Sequence, residues 1–246
     1  MTLTSILTCY GCILSLVCTL TFMNTVKLPS LASASTNVVA PTAALGKRSV
    51  ARAPTAPTVT PMKGPVKFRI IANESKVSYL VRERWLKEEW EETVIGSTSL
   101  ISGDITLDPA LPATARVSPI FVNVVSFGTG DPDRDILVRS KYLESILFPV
   151  AVFTPTQWGP LPRQYRMSQT LVFTMSGPLT LRNITRTVMF EVRARLSGNK
   201  LAGTATAPLR MTDFDIKPPS KVGISVVADE LIVRVEFVAR PLASGA

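Results

Sequence analysis

From Val66 almost to the end of the chain, apolar and polar residues change places at every second position, and this period decides what the chain can fold into. Val66, Phe68 and Ile70 alternate with Lys67 and Arg69, and Val77, Tyr79 and Val81 alternate with Ser78 and Arg82. Later segments are cleaner. Val188, Phe190, Val192, Ala194 and Leu196 alternate with Met189, Glu191, Arg193 and Arg195, and Leu231, Val233, Val235, Phe237 and Ala239 with Ile232, Arg234, Glu236, Val238 and Arg240. A period of two puts successive side chains on opposite faces of a strand, so each segment is a strand with one buried face. Ser197-Gly198-Asn199-Lys200, between Leu196 and Leu201, carries the Gly-Asn pair of a two-residue hairpin. Further strands are expected over 100–107, 115–127, 150–155 and 165–175.

About eight alternating strands, joined by hairpin turns and with no long helical pattern, require an antiparallel sheet that closes or packs on a second sheet. Closure into an all-β barrel fits best. Nine of the ten phenylalanines lie beyond residue 65, several in the apolar register, and these with the branched residues would line the interior. An eight-stranded barrel either fills with its own side chains or leaves room for one small ligand, and composition does not choose between them. Helical signal is confined to two short pieces. Over 133–147 a cap at Asp133 and apolar Ile136, Leu137, Leu143 and Leu147 predict one or two short helices across a barrel mouth. Arg82 to Glu92 is an acidic rim segment bearing Trp85 and Trp90, read either as a solvated strand end or as a lip that grips a ligand or membrane.

The first 65 residues are different in kind. Ser5 to Met23 is an uncharged apolar run of 19 residues that holds all three cysteines, Cys9, Cys12 and Cys18, so nothing remains for disulfides downstream. Leu31-Ala32-Ser33-Ala34 offers a small-x-small cleavage site, which makes 1–34 a signal peptide or a membrane anchor. Against cleavage, no Lys or Arg precedes the run, and the basic residues that follow it would hold its downstream side in the cytoplasm. Residues 35–65 are rich in Pro, Ala and Thr without apolar period and form a semi-extended linker. The barrel domain is expected over 66–240, with 241–246 as a tail. A retained run at 5–23 would tether the domain to a membrane, and a cleaved one would leave it secreted or periplasmic.

Composition narrows the chemistry. The 246 residues contain no histidine, which removes the usual Zn and Cu sites and the Ser/His and Cys/His nucleophile pairs. Net charge is +9, but Lys27, Lys47, Arg48, Arg52 and Lys63 precede the domain, which itself carries +4 and no basic face interleaved with stacking aromatics; no nucleic-acid partner is expected. Asp131, Asp133 and Asp135 have the opening spacing of a calcium loop, yet Ile136 stands where Gly is needed and Tyr142 where the bidentate Glu should be, so no metal site is expected. Asp213 and Asp215 share the polar face beside a turn, where solvation explains them better than acid-base work. No nucleophile or nucleotide-binding motif in a suitable setting appears, and no enzymatic role is expected.

One stretch is specific. Thr129-Gly130-Asp131-Pro132-Asp133-Arg134-Asp135-Ile136-Leu137-Val138-Arg139-Ser140-Lys141-Tyr142-Leu143, followed by Phe148-Pro149-Val150-Ala151-Val152-Phe153, resembles the signature of the YceI-like, polyisoprenoid-binding family. Gly177-Pro178-Leu179-Thr180-Leu181-Arg182-Asn183-Ile184-Thr185-Arg186 is similar to its second block, and Met211-Thr212-Asp213-Phe214-Asp215-Ile216 to its third, with Asp215 where the family pattern has Gly. The resemblance implies an extended, lipocalin-like antiparallel barrel whose apolar tunnel binds, sequesters or transports a long isoprenoid chain, as in quinones or polyprenyl lipids. On that basis the tunnel lining is expected from Phe68, Tyr79, Val81, Phe127, Leu137, Phe148, Phe153, Phe173, Leu179, Phe190, Val192, Phe214, Val235 and Phe237. The same basis makes Thr129, the Arg134/Asp135 pair and Arg139 head-group candidates or, equally, a pinned loop. No cofactor is implied apart from the lipid itself. The alternative is a barrel with a filled core acting as a scaffold or adhesion module.

Overall fold

A computed structural model describes residues 64–242, with 88 and 167 excepted. The leader, the linker up to residue 63 and the end of the tail lie outside the described residues. Fourteen strands are present among the described residues: β1 Val66–Ile70, β2 Lys76–Trp85, β3 Trp90–Thr98, β4 Ile101–Ser102, β5 Asp104–Leu107, β6 Arg116–Val117, β7 Ile120–Asn123, β8 Val150–Phe153, β9 Gln157–Trp158, β10 Thr170–Leu181, β11 Ile184–Ser197, β12 Lys200–Arg210, β13 Ser220–Lys221 and β14 Ser225–Pro241. All pair antiparallel in one curled sheet. The count exceeds the expected eight because kinks cut long strands into pieces: β3, β4 and β5 are one run broken after Thr98 and at Gly103.

The path of pairing runs β4-β7-β8-β10-β11-β12-β14-β1-β5-β6. Since β4 and β5 are separated only by Gly103, the path returns to the segment it left, and the all-β barrel of the sequence reading is the architecture observed. The wall is uneven. From Thr170↔Arg195 to Leu181↔Ile184 β10 and β11 stay in register, and β14 runs along β12 on one side and along β2, then β1, on the other. By contrast, β7 and β8 share four residue pairs, and β4–β7 and β8–β10 two each.

Alternation places the core. In β11, Val188, Phe190, Val192 and Leu196 are buried while Met189, Glu191, Arg193 and Arg195 are exposed. Two clusters result, one around Phe68, Val77, Phe127 and Leu196, the other around Phe153, Phe190, Val192 and Phe214. Each fully buried Phe contributes roughly 1.5–3 kcal/mol relative to exposure. Gly198, at φ +58, takes the left-handed place in the β11–β12 turn, where a Cβ would be strained.

Several elements depart from expectation. The segment Arg82 to Glu92 is not helical; it is a strand end, as one of its two readings has it, and closes the β2–β3 hairpin, paired through to Trp85↔Trp90. β3 shows no clean apolar alternation in its sequence, because its inward slots mix the buried Val94 with Glu92, Gly96 and Thr98 while Ile95 faces out. At Gly96 the ring of Tyr79, its partner on β2, occupies the space a Cβ would need. The segment 115–127 divides into β6 and β7 around Pro119, which has no N–H to give a ladder. Strand β10 starts at Thr170, not near Tyr165, whose hydroxyl instead accepts from the Leu196 N–H at 2.9 Å. The helix α1, Pro132–Leu137, is capped by Asp131 and not Asp133: the Asp131 carboxylate accepts from the N–H groups of Asp133 and Arg134, and Pro132 holds the first helical position, which has no N–H to satisfy. A single π turn, Val138–Tyr142, follows.

Asp215 sits at φ +55 after a short 3₁₀ turn, Met211–Phe214, so its backbone has the left-handed form that glycine adopts without penalty. Asp215→Gly should therefore keep or raise Tm, whereas Asp215→Val should lower stability by about 1–2 kcal/mol in denaturant titration. Asp104 on β5 receives Arg69 Nε at 2.9 Å and Lys67 Nζ at 3.0 Å from β1, and these hydrogen bonds hold its carboxyl down at about 2 against an ordinary 3.8. With the folded pKa depressed, the stabilisation is present above pH 3.8 and is lost as pH falls through about 2. Acid titration followed by circular dichroism should show less stability lost over that window in Asp104→Asn than in the parent chain.

Candidate ligand cavity

The inward residues do not fill the barrel. A cavity of about 610 Å³ remains, far more than the space a single water needs. Its walls follow the pleat: Val77, Tyr79 and Val81 from β2, Leu171, Phe173, Met175, Leu179 and Leu181 from β10, Phe190, Val192 and Ala194 from β11, and Leu231, Val233, Val235 and Phe237 from β14. Small side chains at Ala151, Ala194 and Ala205 leave the space open. Aromatic rings stiffen the wall. Phe153 meets Phe190 edge-on at 4.8 Å between centroids, and Tyr79 lies 5.5 Å from Phe127. Burial, and then the charge of Asp135, push the Tyr79 hydroxyl up to about 12, so it faces this space as a neutral group.

Twelve of the fourteen side chains expected to line a tunnel do face the cavity: Tyr79, Val81, Phe127, Leu137, Phe153, Phe173, Leu179, Phe190, Val192, Phe214, Val235 and Phe237. The other two stand elsewhere. Phe68 on β1 is wholly buried within the first core cluster without reaching the cavity, because Val77, Val124, Phe127, Leu196 and Leu201 of that cluster pack around it. Phe148 lies half-buried in the loop ahead of β8.

The polar candidates separate in the same way. Arg134 reaches the cavity, but its partner is not Asp135. It lies 3.4 Å from Glu83 Oε2 and 3.6 Å from Glu92 Oε1, two carboxylates that oppose each other across β2 and β3. Asp135 instead accepts from the N–H and hydroxyl of Thr129, both at 2.7 Å, and Arg139 Nε donates to the Asp135 carbonyl at 3.1 Å. Thr129, Asp135 and Arg139 therefore pin the loop ahead of α1, and none of the three lines the cavity.

Glu83 is legible in the sequence as an inward carboxylate. It continues the inward register of Val77, Tyr79 and Val81, so a carboxylate in that slot had to be either paired or wet. Trp85 extends the series and, with Asp131, Asp133 and Lys221, lines the same end of the cavity. Trp158, Tyr142, Tyr165 and Met175, which alternation did not mark, complete other parts of the wall.

Removing Arg134 strands Glu83, whose side chain is only 11% exposed. Arg134→Met should cost about 1–3 kcal/mol in chemical unfolding, at the lower end because Arg134 itself is partly solvated. Replacing both residues, Glu83→Gln with Arg134→Met, should recover most of the loss.

The model of the YceI-like domain matches residues 68–239. Among solved structures, BcnA from Burkholderia cenocepacia superposes with a TM-score of 0.56 at 22% identity, covering 69% of this chain and 98% of its own. A polyisoprenoid binding domain from Saccharophagus degradans, implicated in plant cell wall breakdown, gives 0.54 at 15% identity, covering 72% of this chain and 99% of its own. At these identities the likeness is one of fold. Comparison with curated proteins gives no match. The family match spans the whole barrel, from β1 to β14, and the chain belongs to the YceI-like domain family.

Proposed function

We propose that the domain binds a long apolar lipid, of polyisoprenoid or isoprenoid-quinone type, inside the barrel, and carries or sequesters it outside the cytoplasm. The cavity of about 610 Å³ is the observation that supports this reading over a scaffold with a filled core. An apolar chain suits such a space because each buried methylene gains about 0.8 kcal/mol on leaving water, although ordering costs hold the total affinity below the sum. The head group would lie at the Glu83–Arg134 end, where the wall turns polar. An extracytoplasmic site of action rests on the apolar run 5–23 and the Leu31-Ala32-Ser33-Ala34 sequence, with the run serving either as signal or as tether.

Native mass spectrometry of the chain purified from cells should reveal a co-purified adduct of isoprenoid mass. An adduct-free spectrum at full folding would overturn the carrier reading in favour of the scaffold. Ala205→Phe, which fills the cavity without adding charge, should lose the adduct while the far-UV circular dichroism is kept. Phe237→Arg should abolish uptake as well, at a larger cost in stability.

A further inference from the structure

The polar end of the cavity is also where the protein carries a crown of exposed apolar side chains. The β2–β3 turn and the β13–β14 turn are joined, the Leu86 N–H donating to the Ile224 carbonyl at 2.8 Å. The helix α1 is fastened to the same end through Arg134, Glu83 and Glu92. Residues 143–148 follow from the π turn, and Glu144 pairs there with Arg182 of the β10–β11 turn. These turns, with the start of β3 and the helix α1, expose Val222 at 99%, Ile146 at 87% and Trp90 at 53%, together with Leu86, Leu147 and Ile136. Trp85, Leu137 and Lys221, beside them in sequence, line the cavity. Hairpin tips are ordinarily polar, and apolar side chains held bare at several of them mark a surface that meets another apolar phase.

We infer that this end of the barrel docks on a lipid bilayer, with the crown immersed at the interface and the cavity opening onto it. The inference rests on the reading that the cavity takes up a lipid. A bilayer is the occupant the geometry favours, because the apolar side chains project from separate turns and a fluid phase receives such prongs without a matching socket. The cargo has its reservoir there and passes into the cavity without crossing water. Trp90 has the amphipathic side chain that settles at membrane interfaces. Charges of both signs flank the tips, Lys87 and Lys221 beside Glu89 and Glu91, which suits zwitterionic head groups better than a strongly anionic surface.

The test uses the full chain with Trp85→Phe and Trp158→Phe, so that Trp90 is the remaining tryptophan. It is mixed with phosphatidylcholine vesicles whose acyl chains are brominated. Trp90 should lose most of its emission, and the loss should disappear in Val222→Asp with Ile224→Asp, whose far-UV circular dichroism is unchanged. Unquenched emission from a chain that floats with the vesicles overturns the docking, since a tether alone would hold the domain away. Quenching that survives the aspartates overturns it as well, as does a dimer that the aspartates dissociate in sedimentation. Quenching without a lipid adduct in the native mass spectrum supports docking while removing the carrier reading, and an adduct without quenching does the reverse.

Discussion

A strand with one dry face and one wet face cannot rest until its dry face is covered and its edges are paired. In this chain one operation meets most of both demands. Curling the sheet until β5 returns to the segment that β4 began brings the ends of the path together and turns the inward register positions toward a common axis, leaving β3, which beyond β2 makes one bridge at Ser97↔Gly128, as the long edge among the described residues. The interior is thus a by-product of closure, and its size follows from how many strands the ring contains and how large their inward residues are. With alanine at several inward slots, the ring is wider than its side chains can fill.

How much of this was legible depends on where the pleat speaks plainly. β11 and β14 alternate without interruption, and reading them gave the inward residues Phe190, Val192, Val235 and Phe237 correctly. β3 is silent because Val94 is the one buried apolar residue in its inward slots, beside Glu92, Gly96 and Thr98, and Ile95 faces out; the Tyr79 ring that covers Gly96 comes from the neighbouring strand, which no single-strand pattern can report. Phe68 was misplaced for a related reason. Alternation tells inward from outward, but not whether the inward side chain meets open space or other side chains of the core.

The ion pairs follow the same logic. Thr129, Asp135 and Arg139 lie close in sequence and satisfy one another within their own loop, as short-range polar motifs commonly do. Arg134 spends its charge 51 residues away, on Glu83, a connection that exists only because α1 folds across the end of β2 and β3. The left-handed Asp215 is similar: a side chain at a position shaped for glycine is visible as an oddity in sequence, and only the backbone angle explains it.

The uneven wall carries one more consequence. Long ladders join β10, β11, β12 and β14, while β4, β7 and β8 are stitched by two to four residue pairs. Opening a sheet costs free energy in proportion to the contacts broken, so thermal breathing concentrates along that thin flank. The sleeve behaves less like a welded pipe than like a cuff with a clasp, stiff on three sides and able to loosen along the fourth.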